Sequence, residues 1–375
     1  MGEAISKYKR TEFAKLSKEE RNMLVWNAKN VEYALGANIE DLSMKFWDID
    51  ERHAFEGDHV LLRQGYSIVI DYMHRMLEKR GNRFTVLLNF QVGSIEYSRN
   101  TSTQPYVNIH PRNRKFVDLS DSCSVTSQDG KQCIKSDFVV SAVPLGILKA
   151  SVQEETDESK IVFCPPLPFI KVDAIKSVGF GLLNKAFIQF PFDFWTQNDV
   201  LEADQTQFGN ASGLNPHLYM FFDVSKAMYP GSKESPAILM TLISGCEAVA
   251  CEEMSEADFL AQIMETLRTL FAKTTVPDPA AFKISRWGSD KFSRGSYTFL
   301  GPGSTDEDFE TLQSPINGNG DSSLLELPSS ETMRLFFAGE HTTALFPSMA
   351  HGAMCKFVYF LEPYSLYYQD AQSFS

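Results

Sequence analysis

A segment near the end of the chain has the residue types and spacing of a ligand-binding turn. Residues 335–338 form a short apolar run that is typical of a buried strand. Gly339 then permits a close approach to the backbone, and the carboxylate of Glu340 can accept hydrogen bonds from sugar-like hydroxyl groups. The N–H groups of a helix after Pro347 can face an anion. The pattern predicts a site for an anionic ligand that carries hydroxyls, with an ordinary strand-turn-helix connection as the alternative.

A glycine-containing block precedes Lys185. Residues 175–190 are expected to be rich in strand, and the strand would aim the Lys185 side chain inward. A surface lysine on an edge strand is the alternative. The GxGxxN pattern at residues 179–184 does not predict a dinucleotide-binding loop, because residues 186–190 have strand character where such a loop requires a helix.

The periodicity elsewhere predicts alternating helices and strands. Apolar residues at near-helical spacing, with Ser17 as N-cap for Glu20, predict a helix over residues 18–36. Further helices are expected at 67–80 and 256–272. Strands or strand-rich stretches are expected at 84–97, 133–142 and 218–246, and from residue 283. The polar residues 98–131 predict a surface hairpin insertion.

The composition indicates a compact, acidic protein. Of its 375 residues 43% are hydrophobic, which suffices for a large core in two domains or lobes. The formal net charge of −13 argues against direct nucleic-acid binding and favours cationic partners, and Asp48, Asp50 and Glu51 concentrate acid locally. No apolar run reaches the ~18 residues of a membrane span, and no secretory signal is recognisable. An intracellular location without a membrane is expected, and six cysteines without metal-ligand spacing predict no metal site.

Several blocks follow one another in a recognisable order. They are Asn30 to Asp48, the Gly65-Tyr66 turn, Asp137 to Leu148 with its Pro144-Leu145-Gly146 end, Gly179 to Lys185 with the later Arg286 to Tyr297, and the Gly339-Glu340 turn with His351-Gly352-Ala353. In this order they resemble the flavin amine oxidase family over about residues 19–353. The subgroup most similar is the lysine-specific histone demethylases, followed by plant-type polyamine oxidases.

The resemblance implies an α/β fold in which a Rossmann-like FAD/NAD(P)-binding domain carries an inserted amine oxidase substrate domain of mixed sheet and helices. It implies that residues 1–54 are the helical part of the substrate domain, 55–181 part of the FAD-binding domain, 182–304 the substrate-binding domain and 305–375 the C-terminal part of the FAD-binding domain. The GxGxxG unit with which the family opens has no counterpart here. The FAD-binding domain is therefore expected to be incomplete, and the chain to be the C-terminal two-thirds of a longer enzyme.

The resemblance also assigns roles to individual residues. Lys185 would be catalytic, holding a water next to flavin N5 and aiding reoxidation by oxygen, and Trp287 and Tyr297 would be aromatic walls. The residues expected to bind FAD are Val92, Ala142, Val143, Pro144, Trp287, Tyr297, Gly339, Glu340, Ser348, Met349 and Ala350. Those expected to contact the substrate are Asn30, Tyr33, Ala34, Asp48, Asp50, Glu51 and His59. Arg52 replaces an acidic residue of the demethylases.

The implied activity is FAD-dependent oxidation of a C–N bond by hydride transfer to the flavin, which gives an imine and hydrogen peroxide. The implied substrate is a cationic amine, either a methylated lysine of a histone tail or a polyamine. A nuclear location goes with the first substrate and a cytoplasmic one with the second. Two alternatives stay open: an inactive remnant that serves as a binding module, and a subunit completed by a separate nucleotide-binding half. A co-repressor-type partner is a further expectation.

Overall fold

The chain folds into two compact units, seen here in a computed structural model. The structure describes residues 12–49, 62–81, 84–97, 107–111, 133–136, 139–154, 157, 159–199, 206–228, 236–317 and 333–354. The first unit comprises Met1–Glu40, Phe55–Leu88 and Leu182–Gly288, and the second comprises Asp41–Ala54, Asn89–Gly181 and Ser289–Ser375. Each unit is therefore assembled from three separate stretches of chain. The four-part domain division inferred from the sequence stays a prediction.

The α-helices are distributed over both units. In chain order they are α1 (Lys18–Leu35), α2 (Ser67–Glu78), α3 (Leu145–Ser151), α4 (Phe169–Ser177), α5 (Val224–Met228), α6 (Gly245–Glu253), α7 (Glu256–Leu270) and α8 (Asp306–Gln313). Residues 350–354 are also helical. Short 3-10 turns lie at Phe13–Lys15, Ile39–Asp41, Phe194–Asp199 and Glu340–Thr342.

Among the described residues, the strands form one sheet in the first unit and three in the second. In chain order they are β1 (Val92–Tyr97), β2 (Val107–Pro111), β3 (Ile134–Ser136), β4 (Val139–Ser141), β5 (Val162–Cys164), β6 (Gly179–Gly181), β7 (Leu183–Phe190), β8 (Gln207–Gly209), β9 (Met220–Asp223), β10 (Ala237–Ser244), β11 (Ala281–Ile284), β12 (Tyr297–Phe299), β13 (Ile316–Asn317) and β14 (Met333–Phe337).

The sheet of the first unit is antiparallel, with strand order β11-β7-β10-β9-β8. Along β7, buried residues alternate with more exposed ones, because successive side chains of a strand point to opposite faces. The buried set of β7 packs with α6 and α7 residues such as Ala248, Phe259 and Ile263 in one apolar cluster. This face fixes the register of β7, since a slip of one residue would expose the whole set.

The second unit contains the parallel strand pairs expected of a Rossmann-like sheet. β4 and β14 are parallel, with Val139 opposite Leu335, in the order β13-β14-β4. β1 and β5 are also parallel, in the order β3-β2-β1-β5, and β12 pairs with β6. Helices α4 and α8 contact each other beside these strands. Leu335 and Phe337 are buried in the core of this unit, each contributing roughly 2 kcal/mol of apolar burial.

The helix predicted over residues 18–36 is confirmed as α1, and its start has the predicted cap. Ser17 Oγ accepts a hydrogen bond from Glu20 N at 3.1 Å, and Glu20 Oε2 accepts one from Ser17 N at 2.7 Å. This reciprocal pair satisfies two donors that a helix start leaves open. Gly36, with φ of 65°, ends the helix in the left-handed conformation that favours glycine. The helices predicted at 67–80 and 256–272 are also confirmed, as α2 and α7.

Three predictions of secondary structure were wrong in part. Residues 84–91 are irregular, so the strand predicted from residue 84 begins only at Val92. Residues 175–177 belong to α4 rather than to a strand, because Ala174, Ile175 and Val178 are buried at helical spacing. The strand predicted from residues 283–287 spans Ala281–Ile284 instead, and residues 285–287 are not strand. Most of the predicted insertion at 98–131 lies outside the described residues, apart from β2.

Within the described part of the chain, no helix has the length and apolar character needed to cross a membrane.

Candidate active site

The Gly339-Glu340 turn lies where two parallel strands end. β14 ends at Phe337 and β4 at Ser141, and Ala338 N donates to Ser141 O at 2.9 Å, so the carboxyl ends of the two strands are joined. Gly339 has φ of 135°, which strongly favours glycine, and a Cβ there would lie 2.6 Å from the ring of His341. In open α/β sheets the carboxyl ends of parallel strands are the usual place for a ligand.

The carboxylate of Glu340 is held by protein donors. Its Oε2 accepts from Thr298 Oγ1 at 2.7 Å, Thr298 N at 3.2 Å and Ser348 N at 3.0 Å. Ser348 in turn donates from Oγ to Thr298 O at 2.6 Å. The predicted helix after Pro347 is present at residues 350–354, and the Ser348 N–H that precedes it faces the Glu340 carboxylate.

Burial controls the protonation of this turn. Burial raises the pKa of Glu340, while the hydrogen bonds from Thr298 and Ser348 lower it in part. The pKa of His341 falls to about 4, chiefly through burial and secondarily through the charge of Lys171. His341 is therefore neutral at pH 7, and its Nδ1 lies 3.9 Å from Glu340 Oε1, too far for a hydrogen bond.

A fully buried lysine contacts both the end of α8 and the last residue of β14. Lys171 of α4 donates from Nζ to Thr311 O at 2.5 Å, Ser314 O at 2.6 Å and Leu312 O at 3.0 Å. These carbonyls belong to the end of α8, where helices leave acceptors open. The ammonium also lies 4.4 Å from the ring centroid of Phe337, the last residue of β14. Burial lowers the pKa of Lys171 well below its usual value.

The groups at the carboxyl ends of β4 and β14 suit a ligand with hydroxyls such as FAD. Ser141 Oγ is buried and has no hydrogen-bond partner among the described residues. The same holds for His341 Nε2. Glu340 Oε1 is not used by Thr298 or Ser348, which bond Oε2. A hydroxyl-bearing chain offers both the donors and the acceptors that these atoms lack.

The other predicted FAD-binding residues of the second unit lie in three places: around β1 and the end of β4, in β12, and directly after Ser348. Val143 and Val92 are partly buried and pack against the core, whereas Ala142 and Pro144 on either side of Val143 are exposed directly after β4. Tyr297 lies in β12, opposite Gly181 of β6. Exposed Ala350 and half-buried Met349 follow Ser348 in the chain. Their predicted contacts with FAD stay predictions.

Lys185 lies in the first unit on the exposed side of β7. The expectation that the strand aims it inward was wrong, because the alternation of β7 turns Asn184 and Ala186 into the core and leaves Lys185 on the other face. Its backbone is bound on both sides: Lys185 N donates to Ser285 Oγ at 2.8 Å, and Ser285 N donates to Lys185 O at 2.9 Å. Trp287 lies two residues after Ser285, and its side chain is 46% exposed.

The predicted substrate contacts divide between the units. Asn30, Tyr33 and Ala34 lie on α1 at spacings of three and four residues, hence on one face of the helix. Burial raises the pKa of Tyr33, whose ring centroid lies 5.8 Å from that of Tyr219. Asp48 is half-buried in the second unit. The remaining three predicted contacts, Asp50, Glu51 and His59, lie outside the described residues.

Sequence reasoning missed three residues that organise these regions. Asn184 occupies an inward position of an otherwise apolar alternation, and that irregularity in the pattern was the available signal. Thr298, which is fully buried and bonds Glu340, follows Tyr297 without any local signal. Lys171 lies in an apolar helical pattern, where a lysine is a sign of a buried, capped ammonium. Among the described residues no group of His, Cys, Asp or Glu could hold a metal ion.

Comparison with curated proteins gives relatives named as histone demethylases. The chain is 31% identical over 340 residues to "Possible lysine-specific histone demethylase 1" of Drosophila melanogaster, covering 90% of this chain and 34% of the relative. It is 30% identical over 359 residues to "Lysine-specific histone demethylase 1 homolog 1" of Oryza sativa subsp. japonica, covering 94% and 35%. For "Lysine-specific histone demethylase 2" of Homo sapiens the values are 31% over 339 residues, 90% and 34%. The chain thus spans about a third of the length of these relatives.

Solved structures share the fold. Putrescine oxidase bound to putrescine has a TM-score of 0.54 at 19% identity, covering 80% of this chain and 53% of that one. Cyclohexylamine oxidase from Brevibacterium oxydans IH-35A has a TM-score of 0.55 at 16% identity, covering 90% and 64%. The predicted α/β, Rossmann-like fold class is confirmed.

The family whose sequence model matches is described as "Flavin containing amine oxidoreductase", and the match spans residues 2–354. This confirms the resemblance inferred from the sequence blocks, and FAD is the cofactor that goes with the family. The chain belongs to the flavin-containing amine oxidoreductases.

Proposed function

We propose that the chain is part of an FAD-dependent amine oxidase that oxidises a C–N bond of a cationic amine to an imine, with release of hydrogen peroxide. FAD, when bound, supplies the hydride acceptor. The observation that carries the proposal is the Gly339-Glu340 turn at the joined carboxyl ends of β4 and β14, where an α/β sheet binds its ligand. Family membership supports the same reaction class.

Each candidate residue has a role that its surroundings support. Glu340 Oε1 and Ser141 Oγ would bond hydroxyls of the cofactor, and the neutral side chain of His341 adds no charge there at pH 7. Lys185 would hold a water next to the flavin N5 position, for which its exposed side chain is accessible. Trp287 and Tyr297 would offer aromatic faces to the flavin and to a cationic amine.

The proposed substrate is a methylated lysine of a histone tail, with a polyamine as the second candidate. The curated relatives are named as histone demethylases, which favours the first. A solved structure of similar fold contains putrescine, which keeps the second open. The acidic residues Asp48, Asp50 and Glu51 would attract either cation, whereas the positive charge of Arg52 would repel both. With the histone substrate the expected location is the nucleus, and with a polyamine the cytoplasm.

A chain that depends on a separate nucleotide-binding half is the alternative. No GxGxxG turn followed by a helix occurs in the 375 residues, and residues 179–184 fall in β6, the start of β7 and the connection between them. Such a turn and its helix N-terminus normally bind the pyrophosphate. We expect the chain alone to bind FAD weakly. A visible absorption spectrum after purification measures this directly, and a stoichiometric yellow protein would contradict the alternative.

Peroxide release in an FAD-loaded enzyme tests the proposed reaction. Wild type and Lys185→Met should each be assayed with methylated histone-tail peptide, spermine and N-acetylspermine. Lys185→Met should lower turnover or flavin reoxidation by roughly 10²-fold while FAD stays bound, because Lys185 acts through a water rather than as an anchor.

Asp48→Lys should raise KM for the peptide more than for spermine, and Glu265→Lys on the exposed side of α7 is its control. Equal turnover by wild type and Lys185→Met on every amine would remove the catalytic assignment.

A further inference from the structure

Asn184 is an amide buried in an apolar face. It is fully buried in β7 on the same side as Ala186, Ile188 and Phe190, which belong to the core of the first unit. A buried amide is costly unless it is hydrogen-bonded. Its position is directly before Lys185, so whatever holds Asn184 also holds the backbone from which the Lys185 side chain extends.

Asn184 uses both ends of its amide. Nδ2 donates to Glu252 Oε1 at 2.7 Å, and Oδ1 accepts from Ser285 Oγ and from Trp287 N, both at 3.1 Å. The two acceptor contacts connect β7 to the segment that follows β11. One side chain therefore ties the backbone of Trp287 to the strand of Lys185.

Glu252, near the end of α6, binds the same two segments from the other side. Its Oε1 accepts from Asn184 Nδ2 and from Gly288 N, the latter at 2.8 Å. A Cβ on Gly288 would lie 3.0 Å from Leu182 Cδ2 and 3.1 Å from each carboxylate oxygen of Glu252, so glycine permits this approach. Arg286 fixes the end of α6 by donating to the carbonyls of Cys251, Glu252 and Met254.

We infer that Asn184 and Glu252 are positioning residues that set the place of Trp287 relative to Lys185. The inference rests on the proposed function for its catalytic meaning, since Lys185 and Trp287 are its candidate active-site residues. Neither Asn184 nor Glu252 needs to touch substrate or cofactor. They act through one shared contact, the bond between Asn184 Nδ2 and Glu252 Oε1.

Four variants separate positioning from general stability. Asn184→Asp puts a second carboxylate against Glu252, and Glu252→Leu removes the acceptor, so both break the contact. Glu252→Gln keeps an amide oxygen that can accept from Asn184 and from Gly288. Asn210→Asp is the matched control: Asn210 is also buried in the first unit, but its side chain bonds to residues of its own loop, Ser212, Leu214 and Asn215.

The position of Trp287 is read by ¹⁹F NMR of the chain labelled with 5-fluorotryptophan. The chain has four tryptophans, and the resonance of Trp287 is assigned by its loss in Trp287→Phe. Asn184→Asp and Glu252→Leu should shift or broaden this resonance, whereas Glu252→Gln and Asn210→Asp should leave it in place. An unchanged Trp287 resonance in both contact-breaking variants would overturn the inference, whether or not the protein is active.

Kinetics of the FAD-loaded enzyme give the second readout. Glu252→Leu should lower kcat by roughly 10- to 100-fold with little change in KM, because a small misplacement of positioned groups acts on turnover. Glu252→Gln should restore kcat to within about twofold of wild type. Equal kcat for Glu252→Leu and Glu252→Gln would contradict the positioning role. Absence of amine oxidation in wild type would instead contradict the proposed function, and the ¹⁹F result would still decide the inference.

Discussion

Glu340 in the second unit and Lys185 in the first are the two central candidate residues, and their surroundings differ. Glu340 is itself part of the protein's hydrogen-bond network, through Thr298 and Ser348. Lys185 is exposed, and the corresponding bonds are made by its neighbour Asn184. Adjacent residues of a strand point to opposite faces, so in β7 the candidate catalytic side chain is Lys185 and the structural hydrogen bonds are made by Asn184. At the Glu340 turn one residue must do both, and its replacement should therefore cost stability as well as function.

Among the residues around the Glu340 turn, replacement of Lys171 should lower the free energy of unfolding most. Lys171→Met removes the donor for three carbonyls near the end of α8 and should lower the free energy of unfolding of the second unit by about 3 kcal/mol. Lys176→Met, on the exposed side of the same helix, should change it by less than about 0.5 kcal/mol. Denaturant unfolding measures both. Equal effects of the two variants would show that the buried Lys171 side chain does not stabilise the second unit.

A pH effect of similar size should come from His341. Its pKa is about 4 in the folded protein and 6.5 in its ordinary state, so the unfolded chain binds the proton first as the pH falls. The contribution of neutral His341 to the free energy of unfolding is complete above pH 6.5 and should decrease by about 3 kcal/mol as the pH falls towards 4. His341→Gln should flatten this part of the stability profile, whereas His74→Gln at an exposed histidine should not. An identical slope in wild type and His341→Gln would exclude His341 as the cause.

Replacement of Glu340 should have an intermediate effect. Glu340→Leu leaves the N–H groups of Thr298 and Ser348 without their acceptor and should cost about 2 kcal/mol. Glu340→Gln keeps an acceptor oxygen and should cost less, because it also removes a carboxylate whose pKa burial raises. Thermal melting of the two variants distinguishes them. A loss in Glu340→Gln as large as that in Glu340→Leu would mean that the ionised charge, rather than an acceptor oxygen, holds the turn.

The smallest effect on stability should come from Lys185. Its side chain is exposed and its backbone bonds to Ser285 do not depend on the side chain. Lys185→Met should therefore leave the melting temperature within about 2 °C of wild type, in contrast to Glu340→Leu. A loss comparable to that of Glu340→Leu would show that Lys185, too, belongs to the structural network.

Local sequence signals predicted the elements whose cause is local. The start of α1 followed from Ser17 and Glu20, whose capping bonds involve only neighbouring residues. The strand predicted from residues 335–338 and observed at Met333–Phe337, and the glycine turn at 339, followed from an apolar run and a residue suited to positive φ. The rejection of residues 179–184 as a phosphate loop was also confirmed, since they fall in β6 and β7 and the connection between them.

The errors occurred where distant residues decide. Residues 175–177 were predicted as the start of a strand-rich stretch, yet they end a helix, because Ile175 packs into the core of the second unit. The inward aim expected for Lys185 depended on which face of β7 is covered. That face is decided by α6 and α7, which lie about 60 to 85 residues further along the chain.

The sequence alone determined the family, the cofactor class, the glycine turn and the main helices, because motifs and capping patterns depend on residues close together in the chain. Only the tertiary structure decided which buried donors bond which acceptors. Glu340 binds Thr298 at a separation of 42 residues, Asn184 binds Glu252 at 68, and Lys171 binds Ser314 at 143. Hydrogen bonds over such separations form only after the core has brought the segments together, and no local pattern specifies them.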